Sequence, residues 1–306
     1  MKTNPTLGVV LVLGAASLWG TTGTARSLAD GALNAYWFGA LRLLTASAFF
    51  AACALMARRR PVAPSGARLS TRDVLGAGLC MAVYNLAFFA GIASIGVALG
   101  TAIALGSGPI WAGLLQALLH RQRPSAAWWT STLVAVAGGV LMTIGGARQA
   151  QGGDAAGILL CLLSGFSYAA YTLLNQRMAN IAPASVITFR AFGVAAVIAL
   201  PAAWLTGAPS FTSGDLAAVA YTGIVTAGLP YLLFSLALRH ITPATGVTLA
   251  LGEPVVAFAL SVLVLGEGPA ASAYLGLLLV VGGVLGVVKQ ELASPPICAG
   301  RPAALT

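Results

Sequence analysis

The chain has 306 residues, of which 58% are hydrophobic and only 8% charged, with 37 glycines. A soluble domain is about a quarter charged, so this composition excludes one; at roughly 20 apolar residues per crossing the length holds about ten membrane-spanning helices and no separate soluble domain. The net charge of +9 does not point to nucleic acid, because the arginines lie between apolar runs, where they set orientation in a membrane.

Met1-Lys2 and the apolar run after it open like a signal peptide. Nine more apolar runs follow without a convincing cleavage point, so the first reads as a retained helix. The first five predicted helices are Leu7 to Ala25, Leu33 to Ala57, Val74 to Ile95, Val97 to Leu119 and Ala127 to Gly145. The second five are Ala155 to Asn175, Ala184 to Leu205, Leu216 to Leu238, Ala244 to Leu265 and Ala270 to Val288. Helices are the economical reading of ten such runs, since a spanning segment must satisfy its own backbone. The four cysteines (Cys53, Cys80, Cys161, Cys298) show no paired spacing.

Placing the N-terminus in the cytoplasm gathers Lys2, Arg58, Arg59, Arg60, Arg68, Arg72, Arg121, Arg123, Arg177, Arg239, Lys289 and Arg301 on that side, against Arg26 and Arg148 on the other. Both termini are therefore expected in the cytoplasm. The two basic residues left over, Arg42 and Arg190, fall early in the second and seventh helices.

That pairing is one of several at a spacing of about 145 residues: Gly96-Val97-Ala98 with Thr242-Pro243-Ala244, Pro109 with Pro254, Pro124 with Pro269, and Gly138-Gly139 with Gly282-Gly283. The expected plan is an all-α membrane protein of two five-helix repeats, residues 1–148 and 149–290, with a cytoplasmic tail over 291–306. Five is odd, so the second repeat enters the membrane inverted. The charges agree, since basic Arg121-Gln122-Arg123-Pro124 matches Gly266-Glu267-Gly268-Pro269, and the Arg58 to Arg72 loop matches one with Asp215 and no Lys or Arg. Inverted repeats are a common plan for secondary transporters, with the substrate near the midplane.

The sequence here resembles the EamA-type members of the drug/metabolite transporter superfamily. The resemblance rests on Ser17-Leu18-Trp19-Gly20, on Arg42 and Arg190, on Gly108-Pro109-Ile110-Trp111, and on Gly252-Glu253-Pro254-Val255-Val256-Ala257 ending in Leu265-Gly266-Glu267, and it covers Leu7 to about Lys289. It implies export of amino acids, other small metabolites or drug-like cations across the inner (plasma) membrane, without ATP and by alternating access. An uncoupled facilitator or a multidrug exporter is the alternative within transport, and a membrane-embedded enzyme or scaffold the alternative outside it.

Glu253 is the most displaced residue of the chain, a carboxylate in an apolar run followed by a proline. It reads either as a proton-coupling group or as a cap for donors freed around Pro254, or as a partner for an arginine. Its repeat-related position is Gly108, so no symmetric acid exists. Arg42 and Arg190 offer planar donor forks that suit a substrate carboxylate, or equally a gate, an ion pair with Glu253 or helix-end carbonyls. Pro109 and Pro254 are the expected bend points.

Trp19, Tyr84, Asn85, Trp111, Tyr168, Tyr171 and Tyr231 are the candidate cavity residues, deep aromatic and polar groups that suit an amphipathic solute, with interhelical hydrogen bonding as the plain alternative. Trp128 and Trp129 read as interfacial, and His120 and His240 as cations at helix C-termini. Ala135 with Gly139 and Gly282 with Gly286 mark the fifth and tenth helices as packing helices, with a homodimer as well as a monomer open. No motif of enzyme, metal or phosphate chemistry occurs, so no cofactor is expected. The expected partners are a small solute, lipid and, if Glu253 couples, protons.

Overall fold

The structure, a computed structural model, describes residues 4–27, 33–58, 69–119, 121–145, 154–266 and 268–293. Lys2, Arg59, Arg60, Arg68, His120, Arg148, Glu267, Cys298, Arg301 and nearly all of the expected tail lie outside the described residues.

Among the described residues ten helices are long and apolar enough to cross a membrane: α1 (Pro5–Ala25), α2 (Ala35–Ala57), α3 (Thr71–Ile95), α4 (Val97–Leu119), α5 (Ala126–Thr143), α6 (Ala155–Ala179), α7 (Ala184–Trp204), α8 (Ser213–Ala237), α9 (Pro243–Leu263) and α10 (Ala271–Ala293). No strand occurs among the described residues. Each expected run forms one of these helices, with ends displaced by a few residues. The largest displacement is at the end of α10, which continues past Val288 through Glu291 because polar residues there find partners: Gln290 donates to Ala127 O at 2.9 Å, and Glu291 accepts from Thr245 Oγ1 at 2.7 Å.

Neighbouring elements are joined tightly. Gly96, at φ +88°, is the single residue between α3 and α4, a backbone region where a side chain is strained. Thr212 and Asp215 form a capping box at the start of α8, which makes the acid of that loop a helix cap. Asp154 caps α6, accepting from Ala156 N at 3.2 Å, and also accepts from Ser94 Oγ at 2.7 Å; these two donors hold its carboxyl below the ordinary range.

The helices alternate in direction. α1 packs antiparallel on α8, since Gly8 meets Ala237 and Gly14 meets Leu233, and it runs parallel to the second half of α9, where Gly20 meets Val256. α6 runs antiparallel to α3, with Gly91 against Cys161 and Gly76 against Leu174, and parallel to α4, with Gly100 against Cys161 and Gly165 against Ser107. α2 packs on α7, α5 on α10 and α4 on α9. Adding five to each helix number carries α3–α6 onto α8–α1 and α4–α6 onto α9–α1, and returns the other three pairs to themselves.

The α5–α10 contact is made backbone to backbone. A Cβ on Gly138 would lie 2.6 Å from Gly276 O, and one on Gly283 only 2.5 Å from Ser131 O. Ala135 and Gly286 belong to this contact, but Gly139 and Gly282 have nothing within 4 Å, so the expected small-residue pairs are out of register by one residue. Trp128 also departs from expectation: it is buried, with its ring against Gly113, and is a packing residue more than an interfacial one.

Candidate functional site

α9 is not one continuous α-helix. It runs as α over Pro243–Leu249, tightens to 3₁₀ over Ala250–Gly252 and resumes at Glu253–Leu263. Pro254 has no N–H for Ala250 O, and the Glu253 N–H serves that carbonyl in its place. The second half of α9 therefore begins with Glu253, and α1 abuts it so closely that a Cβ on Gly20 would stand 2.8 Å from Glu253 O. α4, in contrast, stays helical from Val97 through Leu119 with Pro109 buried inside it.

A second irregularity, in α8, was not read from the sequence. Ile224–Gly228 is a π-helical turn. Pro230 lacks the N–H that would serve Thr226 O four residues earlier, and Arg42 on α2 takes up that carbonyl with Nη2 at 3.1 Å, while its Nε points to Thr222 O at 3.5 Å. The signal was available: a proline in the interior of a spanning run frees an acceptor, and Arg42 is a donor without a sequence-local partner.

The irregular turn of α9 and the Arg42 that is anchored on the π turn of α8 face a cavity of about 200 Å³. Its wall is formed by Trp19, Thr22 and Gly23 of α1, Arg42 of α2, Tyr84 and Phe88 of α3, Thr101, Ala104 and Leu105 of α4, Tyr168 of α6, Tyr231 of α8, and Val247, Ala250, Leu251 and Glu253 of α9. The aromatics touch one another, Trp19 with Tyr231 at 5.2 Å and Tyr84 with Tyr168 at 5.4 Å between ring centroids. Among the described residues no hydrogen bond or ion pair engages the Glu253 side chain, and none joins it to Arg42.

Six of the candidates from sequence thus share one cavity: Trp19, Tyr84, Tyr168, Tyr231, Arg42 and Glu253. The others do not line it. Tyr171 is fully buried behind it, accepting from Asn175 Nδ2 at 3.0 Å, and Asn175 accepts in turn from Ser235. Asn85 is buried against Gly39, and Trp111 packs edge-on to Phe166 at 5.5 Å. Arg190 is exposed on the outside of α7. Pro109 is buried in α4, and Pro254 lines a small crevice with Gly106 and Val136.

The wall residues from α1 to α4 come from the second half of α1 and α3 and the first half of α2 and α4, toward the end of the bundle where α1 ends, while Tyr168, Tyr231 and Val247 extend the wall past the middle of α6, α8 and α9. On the side where α1 begins, polar contacts close the helices together. Gln116 accepts from Ala244 N at 3.0 Å, Gln176 donates to Ile241 O at 3.1 Å, and Arg239 donates to Ala182 O at 2.8 Å. His240 is part of this closure as an acceptor, taking the Asn4 N–H on Nδ1 at 3.3 Å. Burial, with Arg239 beside it, holds its ring below the ordinary histidine range, so it is a neutral pin and not the expected cation.

Comparison with known proteins agrees with this architecture. An uncharacterized transporter of Bacillus subtilis, YwfM, is 34% identical over 277 residues, covering 90% of this chain and 92% of its own. An uncharacterized protein of Pseudomonas aeruginosa is 29% identical over 267 residues, with 87% and 88% coverage. A crystal structure superposes with a TM-score of 0.78 over 94% of this chain and 97% of its own, at 22% identity, which speaks to the fold alone. The model of the EamA-like transporter family matches twice, over residues 6–144 and 155–289. The chain is a multi-pass membrane protein and belongs to the EamA-like transporter family.

Proposed function

We propose that this protein is a secondary exporter of small zwitterionic metabolites, amino acids in the first place, working by alternating access in the inner (plasma) membrane. The observation that carries the reading is the placement of Arg42 and Glu253 in one small aromatic-walled cavity without an ion pair between them. Each charge at such depth demands compensation. Arg42 has it in part from carbonyls of α8; among the described residues Glu253 has no hydrogen-bond or ion-pair partner. An α-amino acid supplies both missing groups, an ammonium for Glu253 and a carboxylate for the remaining donors of Arg42. The volume argues the same way, since drug-sized ligands occupy roughly 300–1,000 Å³.

Glu253 in this reading is the substrate's ammonium partner and the coupling group, exchanging solute for a proton. Its open side chain supports that over a capping or ion-pairing role. The inverted arrangement of residues 1–148 and 149–290, with both termini cytoplasmic, is supported by the double family match and by the exchange of packing partners between helices five apart. In that orientation the wall residues of α1 to α4 lie toward the outside, the side to which an exporter releases its load.

Uptake into proteoliposomes of a panel of amino acids and organic cations, with and without an imposed proton gradient, tests the reading. Gradient-dependent movement of amino acids is expected. Transport of organic cations alone would overturn it.

A further inference from the structure

The cavity wall includes a residue whose polar atom the zwitterion reading does not use. Tyr168 is nine-tenths buried on α6, and among the described residues its hydroxyl has no hydrogen-bond partner. Its ring is fixed from two sides, by Tyr84 at 5.4 Å and by Phe234 at 6.1 Å. The tyrosine next to it on the same helix, Tyr171, is equally deep and has its hydroxyl satisfied by Asn175. Burying an unsatisfied hydroxyl is unfavourable, and phenylalanine would fill the same ring space without that penalty.

We propose, building on the zwitterion reading, that Tyr168 is a specificity-determining residue whose hydroxyl donates to an acceptor on the side chain of the transported amino acid. Tyr168 lines the same cavity as Arg42 and Glu253 but from α6, with its ring beside Gly108. A solute held by its ammonium and carboxylate at the two charges has its side chain left to meet Tyr168. A carbonyl oxygen there completes the hydroxyl; a methyl group leaves it orphaned. Sites built around a buried donor reject the isostere that lacks the acceptor.

Asparagine and leucine make the comparison, being close in shape and differing in that acceptor. Counterflow in proteoliposomes, with thermal shift of the full-length protein in detergent, is measured for the native chain and for Tyr168→Phe. The native chain is expected to favour asparagine by about tenfold, the size of one net hydrogen bond. Tyr168→Phe should lose that preference, keep leucine transport, and show an unliganded melting temperature equal to or above that of the native chain. Asparagine-induced stabilisation should vanish with the hydroxyl.

Leucine moving as well as asparagine in the native chain, or a preference unchanged in Tyr168→Phe, overturns the proposal and leaves the zwitterion reading standing. A Tyr168→Phe protein that melts lower also overturns it, since the hydroxyl would then be a structural bond. Movement of neither amino acid removes the zwitterion reading and this proposal together.

Discussion

At the scale of single residues, the two charges in the cavity are not equivalent. Arg42 is anchored to α8 through Thr226 O and keeps some donors for solute, while Glu253 is engaged by no protein group among the described residues. Glu253→Gln should therefore raise the melting temperature in detergent or leave it unchanged, because a carboxylate without a partner leaves the apolar region. The same change should raise the transport KM by at least about tenfold, the size expected when one side of a buried charge pair is removed, and abolish the response to a pH gradient. Parallel melting and uptake measurements separate these effects. Both charges were legible in the sequence because an ionised group in an apolar run is rare enough to carry a role. The aromatic residues were less so: Trp19, Tyr84, Tyr168 and Tyr231 reach the cavity but Tyr171 and Trp111 do not, since helical spacing groups residues on a face without saying what that face meets. Arg42 and Arg190 share an offset in the repeat yet only Arg42 has a freed carbonyl opposite it, so equivalence in sequence did not give equivalence in placement.

At the scale of elements, irregular turns decide where the polar groups go. Pro230 opens the π turn of α8 and hands Thr226 O to Arg42. Pro230→Ala restores an N–H to that carbonyl, lets α8 close as a regular helix and removes the acceptor that holds Arg42. Uptake kinetics should then show a raised KM, with a melting temperature equal to or above the native value, because a helix-interior proline has been replaced by the best helix former. The α5–α10 contact predicts a sharper contrast. Gly283→Val places a Cβ 2.5 Å from a backbone oxygen and should destabilise by about 1–3 kcal/mol, whereas Gly282→Val, one residue away with nothing within 4 Å, should be close to neutral in the same denaturation series. The sequence announced small residues on both helices but not their register, because four-residue spacing fits two adjacent faces of a glycine-rich helix equally well.

At the scale of the whole molecule, ten apolar helices and their alternation follow from the apolar runs alone, and the spacing of prolines and glycines is what suggests the proposed repeat. The position of the cavity was not legible there, because it depends on which end of the bundle is pinned, and the pins are ordinary polar residues at helix ends, Gln116, Gln176, Arg239 and His240 among them. Single-cysteine labelling with an impermeant thiol reagent checks the arrangement on a background without native cysteines. Arg123→Cys should react from the cytoplasm and Gly268→Cys from outside. Thr101→Cys, in the cavity wall, should react from outside, and Ser235→Cys, behind the closed end, from neither side; reaction of Thr101→Cys from the cytoplasm would reverse the assignment of the open face.

The seating of Arg42 on α2 and Glu253 on α9 has a consequence for how the carrier runs when empty. The two charges belong to different halves of the chain, so closing the cavity around nothing would shut an uncompensated carboxylate into a medium of low dielectric. A zwitterion bridging the two removes that barrier, and so does a proton on Glu253. Under the proposed exchange, the empty, charged carrier is the one form that should not turn over, which would protect the gradient from futile leak and tie each outward trip of solute to a return trip of the proton.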